Sequence, residues 1–126
     1  MKKLICALLA SMLLCTALPS IAMAAQDTFT LLVYMCGTDL ESQGGLASMD
    51  LKEMVRSNVP KGGNVTVYVQ SGGTKRWHVD GITNRQAERW TVSNRGLQLE
   101  ESVGRVNMGD GAALTDFLKS GISRYP

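Results

Sequence analysis

Apolar positions fall into two kinds of block along this chain. The first, residues 4–18, is apolar except for Ser11 and Thr16. Met1-Lys2-Lys3 puts positive charge ahead of it, Pro19-Ser20 breaks it, and Ala22-Met23-Ala24 comes next with small residues at the spacing a signal peptidase requires. That order predicts a cleavable export signal over residues 1–25, with cleavage after Ala24 or Ala25. A run of 15 residues falls short of the roughly 20 that cross a bilayer, so no stable membrane anchor is expected. Lipid attachment at Cys15 is the alternative use of such a leader. Leu14 argues against it, because the residue before a lipidated cysteine is normally small.

The later blocks are shorter and periodic. Residues 28–35 (TFTLLVYM) form a continuous apolar and β-branched run, which predicts a strand buried on both faces, as in a parallel sheet. Cys36-Gly37-Thr38-Asp39 ends it, and Asp39 or Ser42 is positioned to cap a helix beyond it. Leu46, Met49, Met54 and Val55 recur near a helical period, predicting a helix over 46–57. Asp50 and Glu53 early, with Lys52 and Arg56 later, suit its dipole in part. Residues 58–63 (NVPKGG) stop it and turn the chain. Val65, Val67 and Val69 alternate, predicting a second strand over 64–70. Strand, helix and strand make one βαβ unit, whose crossover is right-handed and whose strands are parallel.

A loop comes next, over residues 71–84. Residues 86–92 and 96–99 then predict a short antiparallel hairpin turning at Ser93-Asn94-Arg95-Gly96, with a polar tail behind it. Asp110 is a good N-cap for a second helix through Ser123, whose apolar face carries Ala113, Leu114, Phe117, Leu118 and Ile122. Gly121 weakens its last turn. The fold class is therefore α/β, with one domain over 26–126. A second helix should cross back to a third parallel strand. Two parallel strands and a hairpin offer two helices little core, so the domain is expected to be incomplete at Pro126.

Charge and cysteine content narrow the function. Lys2 and Lys3 leave with the signal, so 11 of the 13 basic residues remain against 11 acidic ones. A neutral domain without a basic stripe excludes a nucleic-acid partner. Cys6 and Cys15 also leave, and Cys36 alone cannot form an internal disulfide, despite an export route that would permit one.

Several constellations could carry chemistry. Cys36 at the end of the first strand and His78 shortly after the second could form a thiolate–imidazole dyad, since ligands gather beyond strand carboxyl ends in open α/β sheets. The plainer reading is a small buried cysteine and a loop histidine beside Trp77. Asp39, Glu41 and Asp50 could hold a hard cation, but their spacing matches no calcium loop, and one His with one Cys is too few for zinc. No metal or cofactor is expected in this chain. The pairs Gly44-Gly45, Gly62-Gly63 and Gly72-Gly73 read as turns, not phosphate loops. Trp77 and Trp90, near Arg76 and Arg89, could stack on bases, but Trp90 lies in a strand pattern and suits the core.

Taken in order, these motifs resemble the opening of clostripain-family cysteine peptidases. Residues 29–35 followed by Cys36-Gly37-Thr38-Asp39-Leu40-Glu41 resemble that family's first strand and turn. Residues 47–54 (ASMDLKEM) are similar to its first helix, and 64–70 (NVTVYVQ) to its second strand. Asn107-Met108-Gly109-Asp110, with Leu114, Phe117 and Tyr125-Pro126, is similar to the helix before its third strand. The resemblance covers nearly all of residues 29–126.

It implies a caspase-like α/β sandwich with a mainly parallel sheet, a His–Cys dyad and cleavage after Arg or Lys, with calcium required by some members and maturation by self-cleavage. The dyad would come after the third and fourth strands, beyond Pro126, so no catalytic residue is expected here and the chain alone should be inactive. Cys36 stands where relatives usually carry another residue. The turn after the first strand would lie near the substrate pocket, making Cys36, Gly37, Thr38 and Asp39 candidates for lining it. Asp39 would either hold a basic side chain or cap a helix. The implied partners are protein or peptide substrates containing Arg or Lys and the remaining carboxyl-terminal part of the fold. A non-catalytic exported binding domain, or an unrelated α/β domain, remains an alternative, since fold does not dictate function.

Overall fold

The computed structural model describes residues 27–126. The export signal read in residues 1–25 lies outside them. Along the described chain run β1 (Phe29–Cys36), α1 (Thr38–Gly44), α2 (Leu46–Arg56), β2 (Val65–Gly72), β3 (Ala87–Ser93), β4 (Gly96–Gly104) and α3 (Gly111–Arg124). One four-stranded sheet has the order β1-β2-β3-β4. β1 and β2 are parallel, from Phe29 opposite Val65 to Cys36 opposite Gly72. β3 pairs antiparallel with β2, placing Trp90 opposite Val69, and β4 returns antiparallel beside β3. The result is a mixed α/β domain in which one of three strand pairings is parallel.

Side-chain alternation assigns the two sheet faces. Val67 and Val69 of β2 and Val92 of β3 pack with Leu51 of α2 in a buried cluster, which Val33, Met35, Met54 and Val55 extend. The intervening residues point the other way, toward α3. There Phe117, fully buried, lies 5.7 Å from the ring of Tyr34 and 5.5 Å from that of Tyr68, and Tyr125 meets Tyr68 at 5.2 Å. Helices thus cover both faces, one with aliphatic contacts and one with aromatic ones.

Four expectations need correcting. β1 is not buried on both faces: Phe29 is 63% exposed and Leu31 45%, because β1 is an edge strand with a single neighbour. Neither Asp39 nor Ser42 caps a helix. α1 begins at Thr38 without a side-chain cap, so Asp39 lies inside its first turn. α1 itself has no counterpart in the sequence pattern. It exists because Gly45, at φ 67°, ends one helix and starts the next. β4 continues to Gly104 rather than stopping at Leu99. Its polar second half still pairs, because Thr91 donates to Glu100 (2.8 Å) and Arg89 to Glu101 (3.0 Å) from β3. The remaining elements match, including the Asp110 cap, whose Oδ1 accepts from the Ala112 N–H at 3.1 Å.

Gly121 serves packing as well as backbone freedom. A Cβ there would lie 2.5 Å from Leu32 Cδ2 and 3.3 Å from its Cγ, so the whole side chain would have to move. Gly121→Ala is therefore expected to lower the urea midpoint: overpacking costs about 1–3 kcal/mol, against the ~1 kcal/mol that alanine gains in a helix. A raised midpoint would remove the packing role. Phe117→Ala empties the centre of the aromatic layer and is expected to cost about 3–5 kcal/mol in the same experiment.

Candidate functional site

The parallel pairing continues past the strands themselves. The Gly37 N–H donates to Gly72 O and the Thr38 N–H to Gly73 O, both at 2.9 Å, and Thr74 Oγ1 donates to Thr38 O at 2.9 Å. Two turns, one after β1 and one after β2, are thereby zipped together at the carboxyl ends of the parallel pair. Gly73 is needed there: its φ is 69°, and a Cβ would lie 2.6 Å from Cys36 Sγ. Thr38 adopts φ 51° despite its branched side chain. Such strain concentrates at sites where geometry is put to use.

These turns form one wall of a pocket of about 500 Å³, completed by residues 84–87 and 105–106. Its charged lining is Asp39, Lys75, Arg85 and Arg105. Among the described residues none of these four side chains forms an ion pair. By contrast, Arg89 is buried and fully engaged with Gln70 Oε1 (2.9 Å), Glu101 (3.0 Å) and Asp116 (2.5 Å). Burial opposes the charge of Arg89, but its two carboxylate partners outweigh that and strengthen its hold on its proton.

The far wall is held from within the sheet. Glu88, nearly buried, accepts from the Thr83 N–H (3.0 Å) and from Gln86 Nε2 (3.3 Å), bracketing Arg85. Asn84 Nδ2 donates to Lys75 O, tying that segment to the turn after β2. Deeper in the same face, Trp90 Nε1 donates to Ser71 Oγ at 2.9 Å, so Trp90 is core as expected.

Thr38 and Asp39, expected at a cleft, do line the pocket. Cys36 and Gly37 are not part of its lining. Cys36 is an exposed free thiol beside Gly73, and Gly37 is buried, with room for no Cβ between Glu41 and Thr74. The charge of the lining works against Asp39 as a seat for a basic side chain, since one carboxylate faces three cations. Lys75, Arg85 and Arg105 were missed because isolated cations in separate loops carry no sequence pattern; only folding gathers them.

Behind the pocket wall lies a buried carboxylate. Glu41 has no exposed surface. It accepts from the Ser48 N–H (2.8 Å), Ser48 Oγ (2.5 Å) and the His78 N–H (2.8 Å), and His78 Nδ1 lies 3.4 Å away. Ser48 is the third residue of α2, so a carboxylate from α1 caps the next helix and meets the positive end of its dipole. Burial pushes the Glu41 pKa up, but the hydrogen bonds from Ser48 and His78 more than offset this and hold it below the ordinary carboxylate value. The same contacts bear on two ideas raised by the sequence. No hydrogen bond joins Cys36 to His78 among the described residues: the His78 ring packs on Gly45 and Glu41. Glu41 is also spent on protein donors, and no group of three or more His, Cys, Asp or Glu among the described residues could share a metal ion.

No protein-family model, curated protein or solved structure matches this chain at a significant level.

A carboxyl whose folded pKa is depressed stabilises the protein above its unfolded pKa, and that contribution is lost as pH falls through the folded value. The wild-type chain should therefore lose stability below about pH 4.5, the ordinary Glu value. Glu41→Gln should abolish that share of the pH dependence and be less stable at pH 7 by about 2 kcal/mol, because an amide nitrogen would face buried N–H donors. Urea midpoints across pH 3–7 for both proteins check this. Parallel curves would show that Glu41 is not the group responsible.

Proposed function

We propose that this chain is the amino-terminal part of an exported, clostripain-like cysteine endopeptidase that cleaves after Arg or Lys, with the His–Cys dyad supplied beyond Pro126. The observation that carries the reading is the parallel β1–β2 pair, whose carboxyl ends open onto a pocket walled by Thr38 and Asp39. Those two residues belong to the motif on which the resemblance rests. A second observation is consistent with it. β1 presents Phe29 and Leu31 at an open sheet edge, and α3 leaves Leu118 and Ile122 exposed. A further parallel strand beside β1 would cover both, and unpaired apolar edges otherwise invite aggregation.

In the complete enzyme the thiolate, activated by histidine, would attack the scissile carbonyl and pass through an acyl-enzyme. Calcium would act, if at all, in that longer protein. Specificity for Arg or Lys would have to come from acidic groups outside the cationic pocket. The competing reading, a non-catalytic exported α/β binding domain, is favoured by one feature: among the described residues, the three cations around the pocket form no ion pair and no Cys–His pair lies beside them.

The test is to express the reading frame through and beyond the codon for Pro126 and to assay both products on an Arg-containing peptide. The longer product should cleave after Arg and lose activity with a thiol alkylator, while the 126-residue chain stays inert. Cleavage by the short chain would overturn the placement of the dyad beyond Pro126, and no cleavage by a folded longer product would overturn the peptidase reading.

A further inference from the structure

We infer that the pocket at the strand carboxyl ends is an anion subsite that receives the side chain of an Asp or Glu residue from a bound peptide. The domain is neutral over its described length, with 11 cationic residues remaining after Lys2 and Lys3 against 11 acidic ones. Its charge is unevenly spread. Lys75, Arg85 and Arg105 converge on one pocket of about 500 Å³ with Asp39 as the only opposing charge in the lining. Outside it, Arg89 bridges Glu101 and Asp116 and Arg124 lies 3.8 Å from Glu100 and 3.6 Å from Glu101, while the other cations of the described residues stand on the surface. Leaving three cations unpaired around a concavity raises the local positive potential, which a carboxylate entering it would relieve.

The pocket is held in shape rather than assembled from free loops. The nearly buried Glu88 grips Thr83 and Gln86 on either side of Arg85. Asn84 joins that segment to Lys75 O, and Thr74 joins the turn after β2 to Thr38. Arg85 and Lys75 therefore approach the pocket from two segments tied to each other and to the sheet. A guanidinium offers a planar fork that matches a carboxylate, so Arg85 and Arg105 are the expected contacts, with Lys75 as a further point charge. A peptide running past the ends of β1 and β2 would present alternate side chains to this wall.

That the carboxylate comes from a peptide rests on the peptidase reading above; the preference for an anion rests on the lining alone. The full 126-residue chain would be titrated by calorimetry with three capped pentapeptides, identical except for Glu, Gln or Lys at the centre. The Glu peptide should bind roughly tenfold more tightly than the Gln peptide at low salt, and this advantage should shrink at about 0.5 M salt. Arg85→Gln with Arg105→Gln should abolish it, while Arg85→Lys with Arg105→Lys, which keeps the charge but not the fork, should keep only part of it; circular dichroism confirms that both fold. Equal binding of all three peptides, or preference for Lys, overturns the inference. Displacement of the Glu peptide by inorganic phosphate at the peptide's own concentration reassigns the pocket to a free anion and also overturns it. Cleavage of Arg-containing peptides by the longer product, compared with and without an acidic neighbour, separates the two claims. Glu-peptide binding without cleavage removes only the enzyme reading, and cleavage without any acidic preference removes only this inference.

Discussion

Glu41 is a carboxylate with no exposed surface, and three segments meet on its two oxygens. It leaves α1, caps the first turn of α2 through Ser48, and takes the backbone N–H of His78 from the long segment after β2. A buried carboxylate without partners costs several kcal/mol and would simply take up a proton. With its lone pairs filled by fixed donors it stays ionised, and each donor segment is held where the carboxylate needs it. The sharp left-handed turn at Gly45 meets the same requirement. It swings α2 back so that Ser48 reaches Glu41, and a Cβ there would both strain the left-handed backbone and crowd the His78 side chain at 3.1 Å.

The pocket depends on that arrangement from one side and on the sheet from the other. α1 carries Thr38 and Asp39, and its middle is pinned through Glu41. The turn after β2 carries Lys75 and is zipped to the turn after β1 by backbone hydrogen bonds. β3 supplies Glu88, which orders the segment bearing Arg85. Parallel strands end together at one rim, whereas the antiparallel β3 enters the sheet from that same rim. Cations distant in sequence therefore converge where the chain crosses from β2 to β3 and from β4 to α3. The strained Thr38 backbone is tolerated there because three hydrogen bonds over-determine it.

Much of the architecture was legible in residue order. Alternating Val65, Val67 and Val69 marked β2, the apolar run through Tyr34 marked β1, and Asp110 marked the start of α3, because each depends on local periodicity or on a cap within a few residues. The same local logic failed where partners come from far away. Tyr34 and Phe117 read as generic apolar positions, yet they form one aromatic layer. Glu100 and Glu101 read as a polar tail but continue β4, because Thr91 and Arg89 receive them from β3. The apolar run of β1 resembled a doubly buried strand, and its place at the sheet edge leaves Phe29 and Leu31 open.

By itself the amino-acid order determined the α/β class and the parallel unit at the front of the domain; it also carries the expectation of an export signal, in residues that lie outside the described structure. Those features come from period, turn chemistry and composition, which act over a few residues at a time. Only the tertiary structure decided the sign of the pocket, the burial of Glu41 and the separate placement of Cys36 and His78. Each of these depends on which charges and donors end up within a few ångströms of one another. Coulomb and hydrogen-bond energies fall off with spatial distance and take no account of sequence separation, so Lys75, Arg85 and Arg105 acquire a common role only once the sheet has brought their loops together.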